Sequence, residues 1–304
     1  MRGFITACVV LAGLGGCSHG AQPAGGSGSA KVAAAVEPKT AVVEPSVGAG
    51  VGPFVGFDRN EYPGDDTMAA MKKQFAFVGY WLTVPAGAEF NQWVGKREVL
   101  KQQGWGFLLL ANGKLEAEIL KAQKAGTAPA DLGRKDAAVA VAAAKSEGFP
   151  KRAIVFLDQE EGGRLTDVQA AYLLAWTEAV AGSDYRPGVY ASGQRVQDDP
   201  GVWIDTVEDI RNRVKKGGLH GVAIFDAQDE CPPANGCTVQ PRPISEAGEP
   251  DLIAWQYSQS PRRPEITKSC AKTYAADGNC YAVGFPKVFL DMDVAGNGDP
   301  SNGR

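Results

Sequence analysis

The chain has 304 residues, 44% of them hydrophobic, and a formal net charge of −4 with no basic block. That length suffices for one large domain or two small ones, and the charge argues against nucleic acid or an anionic membrane surface as an electrostatic partner. Only two histidines occur, His19 and His220, so histidine-based nucleophile activation has little to draw on.

Arg2 precedes an apolar run over 4–14, and Leu14-Gly15-Gly16-Cys17 follows. A short positive region, an apolar stretch and small residues before a cleavage point predict a signal peptide, too short to span a membrane. The ending Leu-Gly-Gly-Cys resembles the bacterial lipobox. That resemblance implies cleavage before Cys17 and its lipidation, and an ordinary secretory leader is the alternative. By analogy with diderm bacteria, Ser18 after the cysteine points to the outer membrane. Residues 18–52 are rich in Gly, Ala, Ser, Pro and Val and carry no periodic apolar face. They are expected to form a flexible tether with an end-to-end distance of about 30–35 Å. The expected organisation is a leader over 1–17, a tether over 18–52 and one folded domain over 53–304. The expected location is the cell envelope of a bacterium, on the periplasmic side of the outer membrane or at the cell surface.

Along the domain, apolar runs alternate with helical patterns. Residues 54–58 predict a strand ending in Asp58, with a helix over about 67–74; residues 75–81 predict a second strand ending in Tyr80 and Trp81. A helix near 90–103 leads to a third strand at 104–112, ending at Asn112, and helices follow over 114–125 and 133–147. The fourth strand is Ala153-Ile-Val-Phe-Leu157, an apolar run that ends in Asp158-Gln159-Glu160-Glu161-Gly162-Gly163. Residues two apart on a strand share a side, so Asp158 and Glu160 emerge together. Thr166 and Gln169 form a capping-box pair that opens a helix to about Gly182.

Residues 186–192 predict a fifth strand with Tyr190, and 206–216 a helix. A sixth strand at 222–226 ends in Asp226, a seventh at 251–258 carries Trp255, Gln256 and Tyr257, and an eighth at 287–293 ends in Asp291 and Asp293. No hairpin signal such as Asn-Gly lies between two alternating runs. Eight β/α units of this length predict an α/β fold, a single-domain (β/α)8 TIM barrel. An open doubly wound sheet is the competing topology. Its dinucleotide fingerprint is missing, because Gly48-x-Gly50-x-Gly52 opens no helix.

Four cysteines remain in the domain: Cys231, Cys237, Cys270 and Cys280. An even number in an exported chain predicts two disulfides, most simply Cys231–Cys237 and Cys270–Cys280, although four cysteines allow three pairings. Zinc is the competing reading, but neither spacing is a C-x-x-C and no histidine lies nearby. We expect no metal and no cofactor. A cation held by Asp58, Asp158 and Asp291 is the one alternative.

Barrel closure would gather Asp58, Tyr80, Trp81, Asn112, Asp158, Glu160, Tyr190, Asp226, Trp255, Gln256, Asp291 and Asp293 at one mouth. Carboxyls beside aromatic rings suit a carbohydrate, whose C–H faces stack on rings while its hydroxyls need acceptors. Glycoside hydrolysis uses a protonated acid and a partner carboxylate, and crowding Asp158 against Glu160 would raise one of them into the acid's role.

The ordered set Gly56-Phe-Asp58, Asp158-x-Glu160, Gly188-Val-Tyr190, Trp255-Gln-Tyr257 and Leu290-Asp-Met-Asp293 resembles the family twenty-five glycoside hydrolases, the Chalaropsis-type lysozymes. More closely, the chain resembles the related glycoside-hydrolase-like domain of exported bacterial proteins. The resemblance implies that Glu160 is the general acid and that Asp158 orients the substrate's acetamido group or intermediate. It also implies supporting acids at Asp58 and Asp291 and cleft walls at Tyr190 and Trp255. The expected partner is a cell-envelope glycan, peptidoglycan or a related polymer, with the membrane reached only through the lipid anchor. A glycan-binding module without turnover is the second expectation, and a scaffold with no glycan ligand the third. The stretches 227–250 and 259–286 are long for connecting loops and are expected to reshape or cover the mouth.

Overall fold

A computed structural model of the chain describes residues 53–229 and 242–304. The leader, the tether, the lipidation site Cys17, and Cys231 and Cys237 therefore lie outside the described residues.

The elements run β1 (Phe54–Asp58), α1 (Asp65–Met71), β2 (Phe77–Trp81), α2 (Arg97–Gln102), β3 (Gly106–Asn112), α3 (Glu116–Lys124) and α4 (Pro129–Ser146). They continue with β4 (Ile154–Asp158), α5 (Asp167–Ala181), β5 (Arg186–Ser192), β6 (Val196–Asp199), β7 (Val202–Ile204), α6 (Thr206–Gly217) and β8 (Ala223–Ala227). The last are β9 (Leu252–Ser258), the four-residue helix α7 (Pro264–Thr267) and β10 (Asp291–Ala295).

Eight strands close a barrel in the order β1-β10-β9-β8-β5-β4-β3-β2. The result is a mixed α/β domain, and it corrects the expected (β/α)8 topology in two respects. Six consecutive pairings, from β1 through β9, are parallel, but β10 runs antiparallel to both β9 and β1. The helices are also fewer than eight full crossovers require: between β9 and β10 the described residues hold only α7 and a 3-10 turn. The eighth strand begins at Asp291 rather than at residue 287, and its reversed direction brings its first residue, not its last, to the mouth.

The helices follow local sequence chemistry. Thr166 caps α5 through its side chain, and Gln169 returns a bond to the Thr166 amide, as the capping box predicts. Asp205 accepts from the Glu208 amide at 2.7 Å and caps α6. One hairpin was not anticipated. β6 and β7 pair antiparallel across Pro200-Gly201, where Gly201 has φ +80°. Proline followed by a glycine with positive φ is type II turn chemistry, a signal distinct from Asn-Gly.

The end of the barrel opposite the mouth is sealed by the C-terminal residues. Asp299 Oδ1 accepts from the Phe107 amide at 2.8 Å, Ser301 Oγ from the Leu109 amide at 2.9 Å, and the Ser301 carbonyl from the Ile154 amide at 2.9 Å. A side chain at Gly106 would place its Cβ 1.8 Å from the Gly298 carbonyl, so the tail seats only over a glycine. Large apolar side chains, among them Phe57, Phe77, Phe107, Phe156 and Trp105, fill the rest of the core.

Candidate active site

The mouth at the C-terminal ends of the parallel strands holds a cleft of about 220 Å³, walled by Asp58, Trp81, Asp158, Glu160, Tyr190 and Asp291, among others. Strand alternation decides which predicted residues reach it. Trp81, Asp158, Tyr190, Phe225 and Gln256 line the cleft. The neighbours Tyr80, Asp226 and Trp255 do not.

Those three are corrections to the expected cleft wall. Tyr80 is fully buried on the outer side of the barrel, where its hydroxyl donates to the Trp93 carbonyl at 2.6 Å and lies 2.7 Å from Glu147 Oε2. Trp255 is also fully buried; its indole N–H donates to the Gln228 carbonyl at 3.0 Å and Arg242 covers its ring at 4.7 Å. Asp226 is fully buried near Asp205 and Glu249, not among the cleft residues. Asn112 stands next door, in a groove that also touches Asp158 and Glu160. Asp293 sits one step deeper than Asp291, opposite Gly56 and completely buried.

Asp58 enters the cleft because β2 leaves room for it. A Cβ at Gly79 would fall 2.4 Å from the Asp58 Cβ. Asp58 Oδ2 accepts from Gln256 Nε2 at 2.7 Å, and Gln256 Oε1 accepts from the Tyr190 hydroxyl at 2.8 Å. Gln259 Nε2 donates to that hydroxyl and to Gln256 Oε1, each at 2.9 Å. Across the seam, Asp291 Oδ1 accepts from the Ser260 amide at 2.5 Å, while Ser260 Oγ donates to the Leu290 carbonyl at 2.6 Å.

Five carboxyls thus crowd one desolvated mouth. Burial raises Asp58 to about 7, with Glu160 adding repulsion and the Gln256 hydrogen bond opposing it. Asp158 and Asp291 are held well above the usual carboxylate range, first by burial and then by their neighbours' charges. Asp293 is raised in the same way, the charges of Asp58 and Asp291 adding to burial. Glu160, at the rim and reachable from solvent, is itself raised by partial desolvation, against the pull of Asp158 and Arg263. Such a cluster takes up protons as a unit, one carboxyl's ionisation opposing the next.

Sequence reasoning missed Asn60, Leu110, Phe225, Gln259, Ser260 and Pro261, all of which line the cleft. Asn60 was accessible in principle, since it lies two residues beyond Asp58. The segment after β9 carried no chemical signature, although this long loop was expected to reshape or cover the mouth; its residues 259–261 line the cleft. Among the described residues no group of three His, Cys, Asp or Glu side chains is arranged to hold a metal ion. Cys280 is fully buried, and the cysteine pairing remains a proposal.

Comparison with known proteins places this architecture. A family model for the Rv2525c-like, glycoside hydrolase-like domain matches residues 75–231, more than half of the chain. The chain belongs to that family. Among solved structures, this Rv2525c-like chain is similar to an uncharacterized B. stearothermophilus protein at 19% identity and a TM-score of 0.48, over 80% of this chain and 95% of that one. It is similar to the Mycobacterium tuberculosis Tat-secreted protein Rv2525c, in complex with L-tartrate, at 14% identity and a TM-score of 0.45, over 80% and 95%. It is also similar to the bacterial lysozyme from Streptomyces coelicolor at 12% identity and a TM-score of 0.43, over 80% and 92%. A comparison with curated proteins returns no match.

Proposed function

We propose that this Rv2525c-like domain binds a cell-envelope glycan, peptidoglycan or a related polymer, in the mouth of the barrel and hydrolyses it. The observation that carries the reading is the Asp158–Glu160 pair, one carboxyl buried and one at the solvent-exposed rim of the same cleft. Glu160 stands where a leaving glycosidic oxygen can reach it from solvent and is the general acid. Asp158 lies beneath and orients the group that attacks the anomeric carbon.

The separation of the two carboxyls sets the stereochemistry of such hydrolysis. A carboxylate nucleophile in a retaining enzyme stands about 5–5.5 Å from the acid, and an inverting pair about 6.5–9.5 Å. A buried Asp158 that orients rather than attacks suits substrate assistance, in which the sugar's own acetamido oxygen attacks and Asp158 holds and stabilises it. Asp58 and Asp291, both raised above the usual carboxylate range, line the cleft and can each hydrogen-bond the ring. Trp81 and Tyr190 supply the stacking faces.

The same pair admits a second reading, in which Glu160, exposed at the rim of the cleft, accepts from a sugar hydroxyl and recognises it without turnover. Export through the leader, lipid attachment at Cys17 and the pairings Cys231–Cys237 and Cys270–Cys280 are parts of the same proposal, read from the sequence.

The test incubates the protein and Glu160→Gln with purified peptidoglycan and follows both new reducing ends and co-sedimentation. Hydrolysis predicts release by the parent and not by the variant, with both sedimenting. Binding without release by either supports the second reading, and neither binding nor release overturns both.

A further inference from the structure

The cleft does not end at the carboxyl pair. It opens into two arms separated by the turn Ala86-Gly87, which borders both. One arm, about 420 Å³, leaves past Asp158, Glu160, Asn112 and Leu115. Its acceptors and the apolar Leu115 suit a further sugar ring, and its cation, Lys114, pairs with Glu118 at 3.9 Å. The other arm, about 250 Å³, leaves past Asn60, Ser260 and Asp291 and is chemically different. Its wall carries Arg59, Glu61 and Phe289.

Arg59 is 6% exposed, and its Nε is buried with no hydrogen-bond partner among the described residues. Its guanidinium lies 4.9 Å from the Phe289 ring centroid, and Nη1 donates to the Phe289 carbonyl at 3.3 Å. Among the described residues its ion-pair partner is Glu61 at 3.0 Å, which is 68% exposed. An ion pair to so exposed a carboxylate contributes little and exchanges readily for a better-placed anion. A buried guanidinium presents fixed donors suited to a carboxylate. Asn60 holds the dividing turn by donating to the Ala86 carbonyl at 2.8 Å, so the two arms stay distinct.

We propose that the Arg59 arm is a specificity site for a carboxylate-bearing acyl or peptidyl substituent branching from the glycan, while the polymer itself runs along the Asp158–Leu115 arm. The carboxylate displaces Glu61 from Arg59, and the apolar part of the substituent rests on Phe289. This inference rests on the glycan reading above and adds a side-group requirement to it.

The experiment titrates the full-length chain with two N-acetylated hexosamine oligosaccharides of equal length, one bare and one carrying carboxylate-terminated peptide substituents. The expected result is about tenfold tighter binding of the substituted oligosaccharide, in line with one charge-assisted hydrogen bond. Arg59→Gln should remove that preference while changing the affinity for the bare oligosaccharide less than about twofold. Because Arg59 is buried, Ala88→Trp, which fills the same arm from the half-exposed turn, is the companion variant and should act alike. Equal affinity of the parent for both oligosaccharides, or equal weakening of both by Ala88→Trp, overturns the proposal and leaves the glycan reading standing. Failure to bind either oligosaccharide overturns the glycan reading and this inference with it.

Discussion

Asp58 and Asp291 are register partners across β1 and β10, the antiparallel seam that closes the barrel. A parallel eighth strand would carry its first residue to the opposite end. Reversal delivers Asp291 to the same mouth as Asp58, Asp158 and Glu160, and the loop after β9 then reaches it through the Ser260 amide. The topology and the acid cluster are thus one feature.

The first prediction concerns strand alternation. Trp81→Ala should weaken glycan binding at least tenfold, because the ring lines the cleft. Tyr80→Phe should leave binding unchanged and lower stability by about 1–3 kcal/mol, the cost of leaving a buried acceptor unpaired. Titration calorimetry and denaturant unfolding separate the two effects. Weakened binding by Tyr80→Phe with unchanged stability would contradict the outward placement.

Gln256 ties Tyr190 to Asp58, and Gln256→Leu should free both. The Gln256 hydrogen bond holds the Asp58 carboxyl down, so its loss should push that carboxyl further up. NMR titration of the carboxyl carbon should show a midpoint above that of the parent; a lower midpoint contradicts the network.

Asp226 predicts a pH dependence of stability. Burial, with Glu249 and Asp205 nearby, raises it to about 7. A carboxyl with a folded-state value above its unfolded one binds more protons when folded. Its contribution is full below about 4 and is lost as pH rises to about 7, at no more than about 1.4 kcal/mol per pH unit. Asp226→Asn mimics the neutral form and should flatten that slope, gaining on the parent between pH 5 and 8 in denaturant unfolding. Parallel pH profiles for the two proteins would refute the assignment.

At the opposite end of the barrel, Ser301→Ala removes the acceptor of the buried Leu109 amide. The expected loss is about 1–3 kcal/mol, with glycan binding unaffected because Ser301 does not line the cleft. An unchanged midpoint of denaturation would show that the tail does not seal the barrel.

The sequence made the mouth legible because its parallel strands end in chemistry that strand interiors do not tolerate. Asp58, Asp158 and Tyr190 each close an apolar run, and each lines the cleft. It was less legible where adjacent residues were both eligible. Tyr80 and Trp81, or Trp255 and Gln256, cannot share a face, yet composition ranks both members of each pair as ligand-binding. The direction of the last strand was hidden for a related reason. Leu290-Asp-Met-Asp293 alternates equally well in either direction, and only hydrogen-bond register distinguishes them. The tail over Gly106 and the cleft residues Gln259 and Ser260 come from irregular segments, where position follows from tertiary contacts and no periodicity announces it.

The most direct test of the account is the rate at which peptidoglycan yields new reducing ends to the parent protein, Glu160→Gln and Asp158→Asn across pH 4–8. The account predicts release by the parent that declines as pH rises and the coupled pair loses its protons. Each variant should be slower by about 10²–10⁴-fold, the usual contribution of a general acid or its partner, with glycan binding intact. Release by Glu160→Gln at the parental rate, or none by the parent at any pH, would contradict hydrolysis by this pair.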